Sequence, residues 1–237
     1  MKISIVIPAH NEELYIDKCL ASIFREGIGL FDEIIVVDNA STDATSAIVG
    51  KFNGVRLVSE LQKGANHARQ RGLLEATGDL VIYLDADTEI NKRWFRSITK
   101  EFARSSDLVC LSGPFLFPDL TPTKNFMVRV YWYFLAMPIY FVVGYMSVGG
   151  NCVVKREAMT KIGGFDTSIK FYGDDTNTAR RLSKVGKVKF KPSFFIFTSS
   201  RRFKGQGFFK TGLLYASNFI SEVLIHRPIT RNYKDIR

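Results

Sequence analysis

The stretch VIYLDADTEI (residues 81–90) passes from an unbroken apolar segment straight into two aspartates, Asp85 and Asp87. Alternate residues of a β-strand point to the same side, so we expect both carboxylates to face one site. Two like charges held together need a compensating cation. The stretch therefore predicts a buried strand that ends at a charged site.

Three apolar runs of the same kind precede this strand, and helical patterns separate them. Strands are expected at residues 3–8, 33–38, 55–60 and 79–86, and helices from an N-cap at Asn11, from about Asp43, and from Lys63 to Ala76 with Gly78 just beyond. Such alternation indicates an α/β fold with a mostly parallel sheet covered by helices on both faces. Ligands of these sheets bind beyond the carboxyl ends of the strands, which is where Asn11, Asp38, Asp43, Asp85 and Asp87 fall.

Chain length and cysteine use limit the class of protein. The 237 residues fit one large domain with its own core. Cys19, Cys110 and Cys152 are isolated, without the spacing of a zinc site or a disulfide framework, which indicates buried thiols in a reducing compartment. Met1 leads directly into an apolar strand and not into a signal peptide. We therefore expect a cytoplasmic protein.

The net charge of +10 is concentrated near the C-terminus. Residues 187–237 contain eleven lysines and arginines against only Glu222 and Asp235. An anionic partner such as membrane lipid, nucleic acid or a phosphorylated substrate would explain this asymmetry, and so would a merely solvated basic surface. The segment has no recognisable nucleic-acid-binding motif, so a nucleic-acid partner is not expected.

Two apolar segments raise the question of a membrane. Residues 130–150 have no formal charge and are long enough to span a bilayer, but Pro138, Gly144 and the polar end SVGGN (147–151) favour a buried or interfacial helix followed by a strand. A second helix is expected at residues 208–225, either packed in the core or lying as an amphipathic helix on a membrane surface.

The two aspartates suit a hard divalent cation. Mg²⁺ and Mn²⁺ prefer oxygen ligands, and substrate phosphates and water often complete their coordination. We expect Asp87 to ligate the metal, with Asp85 beside it binding a ribose hydroxyl or a metal-bound water. Two exposed aspartates in a turn are also common, so the pair alone is weak evidence.

Several motifs accompany the aspartates in a fixed order. They are IVIPAHNEE (5–13), VVDNASTD (36–43), KGANHARQRG (63–72), YLDADT (83–88), GGNCVVKREAMTKIGGFD (149–166) and GDDTNTARRLSKVGK (173–187). With these motifs the chain resembles the family-2 glycosyltransferases over roughly residues 3–190. The resemblance implies a GT-A fold, with a Rossmann-like nucleotide-binding half and an acceptor-side second half. It divides the single domain into residues 1–105 for the donor, 106–198 for acceptor and catalysis, and 199–237 as a basic loop and helix.

The resemblance also implies how a nucleotide-diphospho-sugar donor is bound. Its expected contacts are Pro8, Asn11 and Glu12 at the base and ribose, Asp38 at the base or ribose, Asn39 beside it, Lys63 and Arg69 near the phosphates, Asp85 at the ribose, and Arg201 and Arg202 of a mobile loop SSRRFKGQG (199–207) at the diphosphate. Asn11 could instead only cap its helix, and Lys63 and Arg69 could be solvated charges. In many relatives a second aspartate stands at the position of Asn39, so the resemblance does not assign the nucleobase of the donor.

The implied reaction is a metal-dependent displacement that inverts the anomeric carbon. The acceptor hydroxyl needs a general base, for which Asp175 is the expected residue, while Asp174 positions the acceptor. Both aspartates could alternatively only cap a helix at about residues 176–185. Gly149, Gly150 and Asn151 are expected to form the acceptor-side wall. The acceptor is expected to be a glycan or a lipid-linked molecule at an anionic membrane surface, reached from the cytoplasmic side.

Two rival functions fit parts of the sequence. DADTE resembles a phosphotransferase pattern with Asp85 as a covalent nucleophile, but Glu89 stands where that pattern has Thr or Val. A non-catalytic module that binds a nucleotide sugar or a lipid is the other alternative, and the presence of Asp85, Asp87 and Asp175 together argues against it.

Overall fold

The computed structural model describes residues 1–27, 29–169 and 172–230. Its main sheet has seven strands in the order β3-β2-β1-β4-β8-β6-β9. These strands are β1 Ile3–Ala9, β2 Glu33–Asp38, β3 Val55–Ser59, β4 Leu80–Leu84, β6 Leu108–Ser112, β8 Asn151–Lys155 and β9 Lys187–Phe190. A small second sheet pairs β5 Thr88–Glu89, β10 Ile196–Thr198 and β7 Phe115–Leu116 in the order β5-β10-β7.

The first four strands are parallel and lie close to the predicted bounds. Strand β1 pairs with β2 on one side and with β4 on the other, and β2 pairs with β3. Every residue of β4 is buried, as expected for a strand covered on both faces. The parallel α/β prediction is therefore confirmed in this half of the chain.

Helices cover both faces of the sheet. They are α1 Ile16–Gly27, α2 Thr45–Val49, α3 Ala65–Glu75, α4 Lys92–Arg104, α7 Arg156–Lys161 and α8 Asp174–Leu182. Apolar residues of α1 and α4 pack on Ile5 and Ile7, whereas those of α3, α7 and α8 pack on the opposite face, which Val6 presents. This division follows from the period-two alternation of β1.

Two predicted helix ends are wrong. Asn11 is not the N-cap of α1, which begins five residues later at Ile16, and Asn11 instead has a positive φ of 53°. Its Oδ1 accepts a hydrogen bond from the backbone N–H of Thr42 at 2.8 Å. Gly78 does not end α3 in a left-handed turn, because Ala76 already continues in an extended conformation.

The second half of the sheet departs from the simple parallel pattern. Strand β8 runs antiparallel between β4 and β6, which continues the sheet away from the first four strands. In the small sheet, Thr198 of β10 pairs with Thr88 of β5. This pairing brings the residues after Thr198 beside Asp87, although they are more than 110 positions apart in sequence.

The apolar segment forms an exposed helical arm. It consists of α5 Pro122–Val130, a π-helical segment Tyr131–Ala136 and α6 Met137–Val143, and it ends at Gly144 with φ 82°. Trp132 stacks on Phe190 with ring centroids 5.3 Å apart, which fastens the arm to β9. Phe134, Phe141 and Val142 are more than 70% exposed, so of the two predicted alternatives the buried helix is wrong for most of this segment, and the interfacial helix stays a prediction.

Among the described residues, Pro122–Val143 is the single helix that passes a length and composition test for a bilayer span. The C-terminal helices are α9 Arg201–Gln206 and α10 Phe208–Ile225. The latter confirms the helix predicted at 208–225, whereas the loop predicted at 199–207 is mostly helical.

Candidate active site

A cavity of about 630 Å³ lies beyond the carboxyl ends of the central strands. Its charged lining residues are Glu12, Asp85, Asp87, Asp174, Asp175, Arg69, Arg201 and Arg202. The first three follow β1 and β4, the aspartate pair opens α8, and the arginines come from α3 and α9. The sheet edge predicted from sequence therefore gathers carboxylates from both halves of the chain.

Asp85 and Asp87 line the same cavity, but each of them pairs with a different arginine. Strand β4 ends at Leu84, so the two aspartates lie in a turn and not in the strand itself. Asp85 accepts from Arg69 Nη2 at 3.2 Å, while Asp87 lies 3.0 Å from Arg201 Nε. Burial, only partly offset by Arg201, raises the pKa of Asp87 to about 6.

Arg69 joins the two halves of the site. Its Nη1 donates to Asp174 Oδ2 at 2.7 Å, and its Nη2 contacts Asp85. The side chain is only 8% exposed, so two carboxylates surround a guanidinium that has almost no contact with solvent. Burial works against this charge, but the carboxylates outweigh it and raise the pKa of Arg69.

Asp174 and Asp175 form the first turn of α8. The N-cap is Gly173, with φ 87°, and it makes no side-chain capping bond. Asp175 Oδ1 accepts from the neighbouring Thr176 N–H at 2.8 Å, and Asp174 is held by Arg69. Burial, reinforced by the nearby charge of Asp174, raises the pKa of Asp175 to about 7. Asp175 can thus take up and release a proton near neutral pH, which simple capping does not require.

Arg201, the first residue of α9, contacts acidic side chains at the carboxyl ends of β1 and β4. Its Nη2 donates to Glu12 Oε1 at 2.6 Å, and its guanidinium lies 4.8 Å from the centre of the Tyr15 ring. With the contact to Asp87, this places one arginine between two buried acidic side chains. Thr198 completes the arrangement by donating to Asp87 Oδ1 at 3.2 Å.

Some predicted donor residues lie outside the cavity. Pro8 and Asn39 line it, whereas Asn11, Asp38 and Lys63 do not. Asp38 accepts from Ser41 N–H and Ser46 Oγ, so together with Asn11 it shapes the loop after β2. Lys63 is exposed.

Asn39, Gly149 and Gly150 stabilise or make room for neighbouring parts of the site. The Asn39 amide donates to the carbonyls of Glu60 and Gln62 and accepts from Gly64 N–H, which fixes the loop before α3. A Cβ on Gly150 would overlap the Asp85 carboxylate, and one on Gly149 would lie 3.0 Å from Arg69 Nη2. Both glycines line the cavity and leave room for the Arg69–Asp85 pair.

The expectation that Asn151 forms an acceptor-side wall is wrong. Its side chain is fully buried behind the cavity. It accepts from Trp94 Nε1 at 2.9 Å and donates to the carbonyls of Gly113 and Phe194. Asn151 therefore satisfies buried polar groups where β8 begins.

Half of the cavity lining is aromatic or aliphatic, and sequence reasoning missed it. These residues include Phe115, Phe117, Tyr131, Trp132, Leu135, Met146, Phe208, Leu213, Tyr215 and Phe219. Their only sequence signal was apolar content, which predicts a core equally well. Thr198 also escaped notice, because its place beside Asp87 depends on the long-range pairing of β10.

Comparison with known proteins agrees with this architecture. Residues 4–163 match the family model described as glycosyl transferase family 2. Glycosyltransferase AglE of Haloferax volcanii is 25% identical over 193 residues, which cover 78% of this chain and 62% of AglE. The chain thus spans less than two thirds of the length of this curated relative.

Solved structures share the fold at low identity. The mannosyltransferase PcManGT from Pyrobaculum calidifontis, in complex with GDP-Man and Mn²⁺, matches with a TM-score of 0.66 at 21% identity, covering 88% of this chain and 62% of that one. Glucosyl-3-phosphoglycerate synthase from Mycobacterium tuberculosis, in complex with Mn²⁺, UDP and phosphoglyceric acid, matches with a TM-score of 0.67 at 20% identity, covering 98% and 80%.

The family match covers the strands that build the site, and the structural matches extend the likeness over most of the chain. The fold is accordingly of the GT-A type, with the carboxylate-lined cavity at its expected edge. The chain belongs to glycosyl transferase family 2.

Proposed function

We propose that this protein transfers a sugar from a nucleoside-diphosphate sugar to an acceptor hydroxyl or phosphate, with inversion at the anomeric carbon. The observation that supports this most is the meeting of the strand-end carboxylates with the Asp174–Asp175 pair in one cavity of a family-2 chain. The neighbours in complex with GDP-Man or UDP support a nucleotide donor.

In this proposal the nucleotide lies against Pro8, Glu12 and Asn39. Asn11 and Asp38 would act indirectly by holding the loop after β2. Arg69, Arg201 and Arg202 would serve the phosphates, because guanidinium groups match phosphate oxygens in geometry and charge. Lys63 would have at most a peripheral role, since it is exposed outside the cavity.

The carboxylates fit a divalent cation that is shared with the donor. Asp85 and Asp87 supply hard oxygen ligands, but the described residues contain no group of three or more acidic, His or Cys side chains that could hold a metal alone. Mn²⁺ or Mg²⁺ would therefore be held by Asp87 and Asp85 together with the diphosphate. A cation bound there would neutralise charge that develops on the departing diphosphate. Arg201 now contacts Asp87, and we infer that it turns towards the diphosphate when donor and cation bind.

Asp175 is the proposed general base. It would accept the proton of the acceptor hydroxyl as that oxygen attacks the anomeric carbon and the bond to the diphosphate breaks. Asp174 would hold the acceptor through its fixed position beside Arg69. Gly149 and Gly150 would allow the substrates to approach the Arg69–Asp85 pair closely.

The proposed place of work is an anionic membrane surface reached from the cytoplasmic side, with a glycan or a lipid-linked molecule as acceptor. The exposed apolar side chains of α6 and α10 support it, as does the excess of basic residues after position 187. Three of those residues, Arg231, Lys234 and Arg237, lie outside the described part of the chain. We propose the same division of labour as above: donor binding by residues 1–105, acceptor binding and catalysis by 106–198, and the basic segment thereafter.

Thermal-shift titration with UDP, GDP, dTDP and CDP, each with and without Mn²⁺, tests the donor proposal. We expect one nucleotide to stabilise the protein, by about 2.7 kcal/mol at a hundredfold excess over its Kd, and mainly when Mn²⁺ is present. Mn²⁺ alone should have a much smaller effect, because the protein supplies few ligands. Asp87→Asn should lose the Mn²⁺-dependent part, whereas Asp17→Asn, on the exposed side of α1, should not. Indifference to all four nucleotides would overturn the proposal.

A further inference from the structure

The cavity extends from the carboxylates into an apolar channel between the helical arm and α10. Trp132 and Leu135 line it from the arm, Phe219 and Leu213 from α10, and Met146 from the segment before β8. Leu135 and Leu213 are 50% and 74% exposed although they line the cavity, so the channel opens to the outside between the two helices.

The inner end of the channel meets the proposed general base. Tyr131 and Tyr215 line the same cavity as Asp175. Burial, together with the charge of Asp175, raises the pKa of Tyr131, which keeps this phenol neutral beside the carboxylate. One uninterrupted space therefore leads from the reacting group to the outer apolar surface of the protein.

The chemistry of the walls selects one kind of occupant. A sugar chain would need hydrogen-bonding partners at each residue, but the side chains that the arm and α10 contribute to the cavity are hydrocarbon or aromatic apart from Asn218. Asn218, which also lines the cavity, already donates to Leu214 O and to Thr230 Oγ1. Lys124 and Lys210 are exposed on the helices around the channel, where their charges would attract an anionic membrane surface.

We propose that this channel, whose assignment to the acceptor rests on the proposed function, receives the hydrocarbon chain of an amphipathic acceptor and presents its head group to Asp175. A long buried chain contributes about 0.8 kcal/mol for each methylene removed from water, so the channel would select acceptors by the presence of the chain. The head group would reach Asp175 while the outer part of the hydrocarbon chain stays at the membrane surface.

Trp132 provides a readout that does not depend on activity. The protein has two tryptophans, and the other, Trp94, is 1% exposed in the core against Phe194. Hexadecyl phosphate brominated in mid-chain, kept below its micelle concentration, should quench Trp132 fluorescence saturably. Trp132→Phe should abolish the quenching, because it leaves only the core tryptophan.

Gly212 allows the channel to be filled without disturbing the helix. Gly212 lines the cavity, and a Cβ there would meet no atom within 4 Å. Gly212→Phe should weaken binding of the probe roughly tenfold or more, which corresponds to the loss of about two buried methylenes. Ala216→Phe, one turn further along, is a second plug. Ile220→Phe, on the same helix but outside the cavity lining, should bind like the unaltered protein.

The outcomes separate this inference from the proposed function. Equal quenching in both plugged variants would mean that the chain lies on the outer surface, and it would overturn the channel. Absence of quenching in a protein that still binds a nucleotide would overturn the channel and leave the sugar transfer intact. Quenching without any nucleotide binding would remove the transferase proposal and, with it, the assignment of the chain to an acceptor.

Discussion

The two halves of this chain use apolar side chains in opposite ways. In the first half most of them lie inside, as Ile5, Ile7 and Ile35 do with no exposed surface, whereas Leu61 and Leu74 are exposed singly. In the helical arm of the second half they point outward, with Phe134 77% and Val142 87% exposed. The core of the fold accounts for the buried apolar residues of the first half. In the arm, Trp132 packs on Phe190, but Phe134, Phe141 and Val142 stay mostly exposed, and exposed apolar side chains concentrated on one element are typical of an interaction surface.

Arg69 is where the two halves meet, and its removal should have the largest effect. Arg69→Met would leave the buried Asp174 without its counter-charge, which costs about 3–5 kcal/mol for such a pair. Urea unfolding measures the change. Arg71→Met is the matched control, because Arg71 is on the same helix but 41% exposed, and its pair with Glu75 is worth less than about 1 kcal/mol. Similar losses in both variants would show that Arg69 does not connect the halves.

Asp175 tests whether the second half supplies the base to a donor bound in the first. Asp175→Asn should retain nucleotide binding and lose sugar transfer by roughly 10²-fold or more, because an amide cannot accept the proton. The fold should persist, since the asparagine Oδ1 can still accept from Thr176 N–H. Transfer is measured with the nucleotide found by thermal shift. Glu157→Gln, an exposed carboxylate of α7, serves as control. Full activity of Asp175→Asn would exclude Asp175 as the base.

The same contrast explains how much the sequence could predict. The first four strands were predictable within about two residues, because continuous apolar runs between helices have few other interpretations. Asp85 and Asp87 line one cavity because they directly follow such a strand, although they lie in a turn and not at alternating positions of the strand itself. The arm was ambiguous, since composition does not distinguish an apolar helix that is buried from one that is exposed.

Other parts of the site depend on contacts between distant residues. Arg201 reaches Glu12 only because β10 pairs with β5, and no local pattern encodes that pairing. Asn151 followed two glycines that line the cavity and looked like part of the same wall. It is buried because Trp94 Nε1 and nearby carbonyls need a partner, and this demand cannot be read from the residues around position 151.

Vesicle binding tests the outward apolar face directly. Phe141→Ser with Val142→Ser should weaken binding to phosphatidylglycerol vesicles roughly tenfold or more, because burying each side chain is worth about 1.5–3 kcal/mol when complete. Flotation at low salt measures the bound fraction. Leu61→Ser with Leu74→Ser is a matched control in the first half, where both leucines are more than 70% exposed. If the two double variants bind equally, or if the unaltered protein does not float, the exposed apolar side chains of the arm do not bind a membrane.

The pH dependence of sugar transfer should be the smallest of these effects. It tests whether the buried Asp175 of the second half is the general base. Because burial and the charge of Asp174 raise the pKa of Asp175 to about 7, this carboxyl is protonated below neutral pH and cannot act as a base there. The rate at saturating donor should therefore fall about tenfold between pH 8 and pH 6, with an apparent pKa that belongs to the coupled pair Asp174–Asp175. Nucleotide binding measured over the same pH range separates the protonation of Asp175 from effects of pH on donor binding.

Thr176→Val should keep the backbone hydrogen bond to Asp175 and shift the midpoint of the pH profile upward, since it removes the hydroxyl that helps to stabilise the ionised form. A rate that stays flat down to pH 5 would show that the reacting carboxyl has an ordinary pKa, and that the buried aspartate of the second half is not the base.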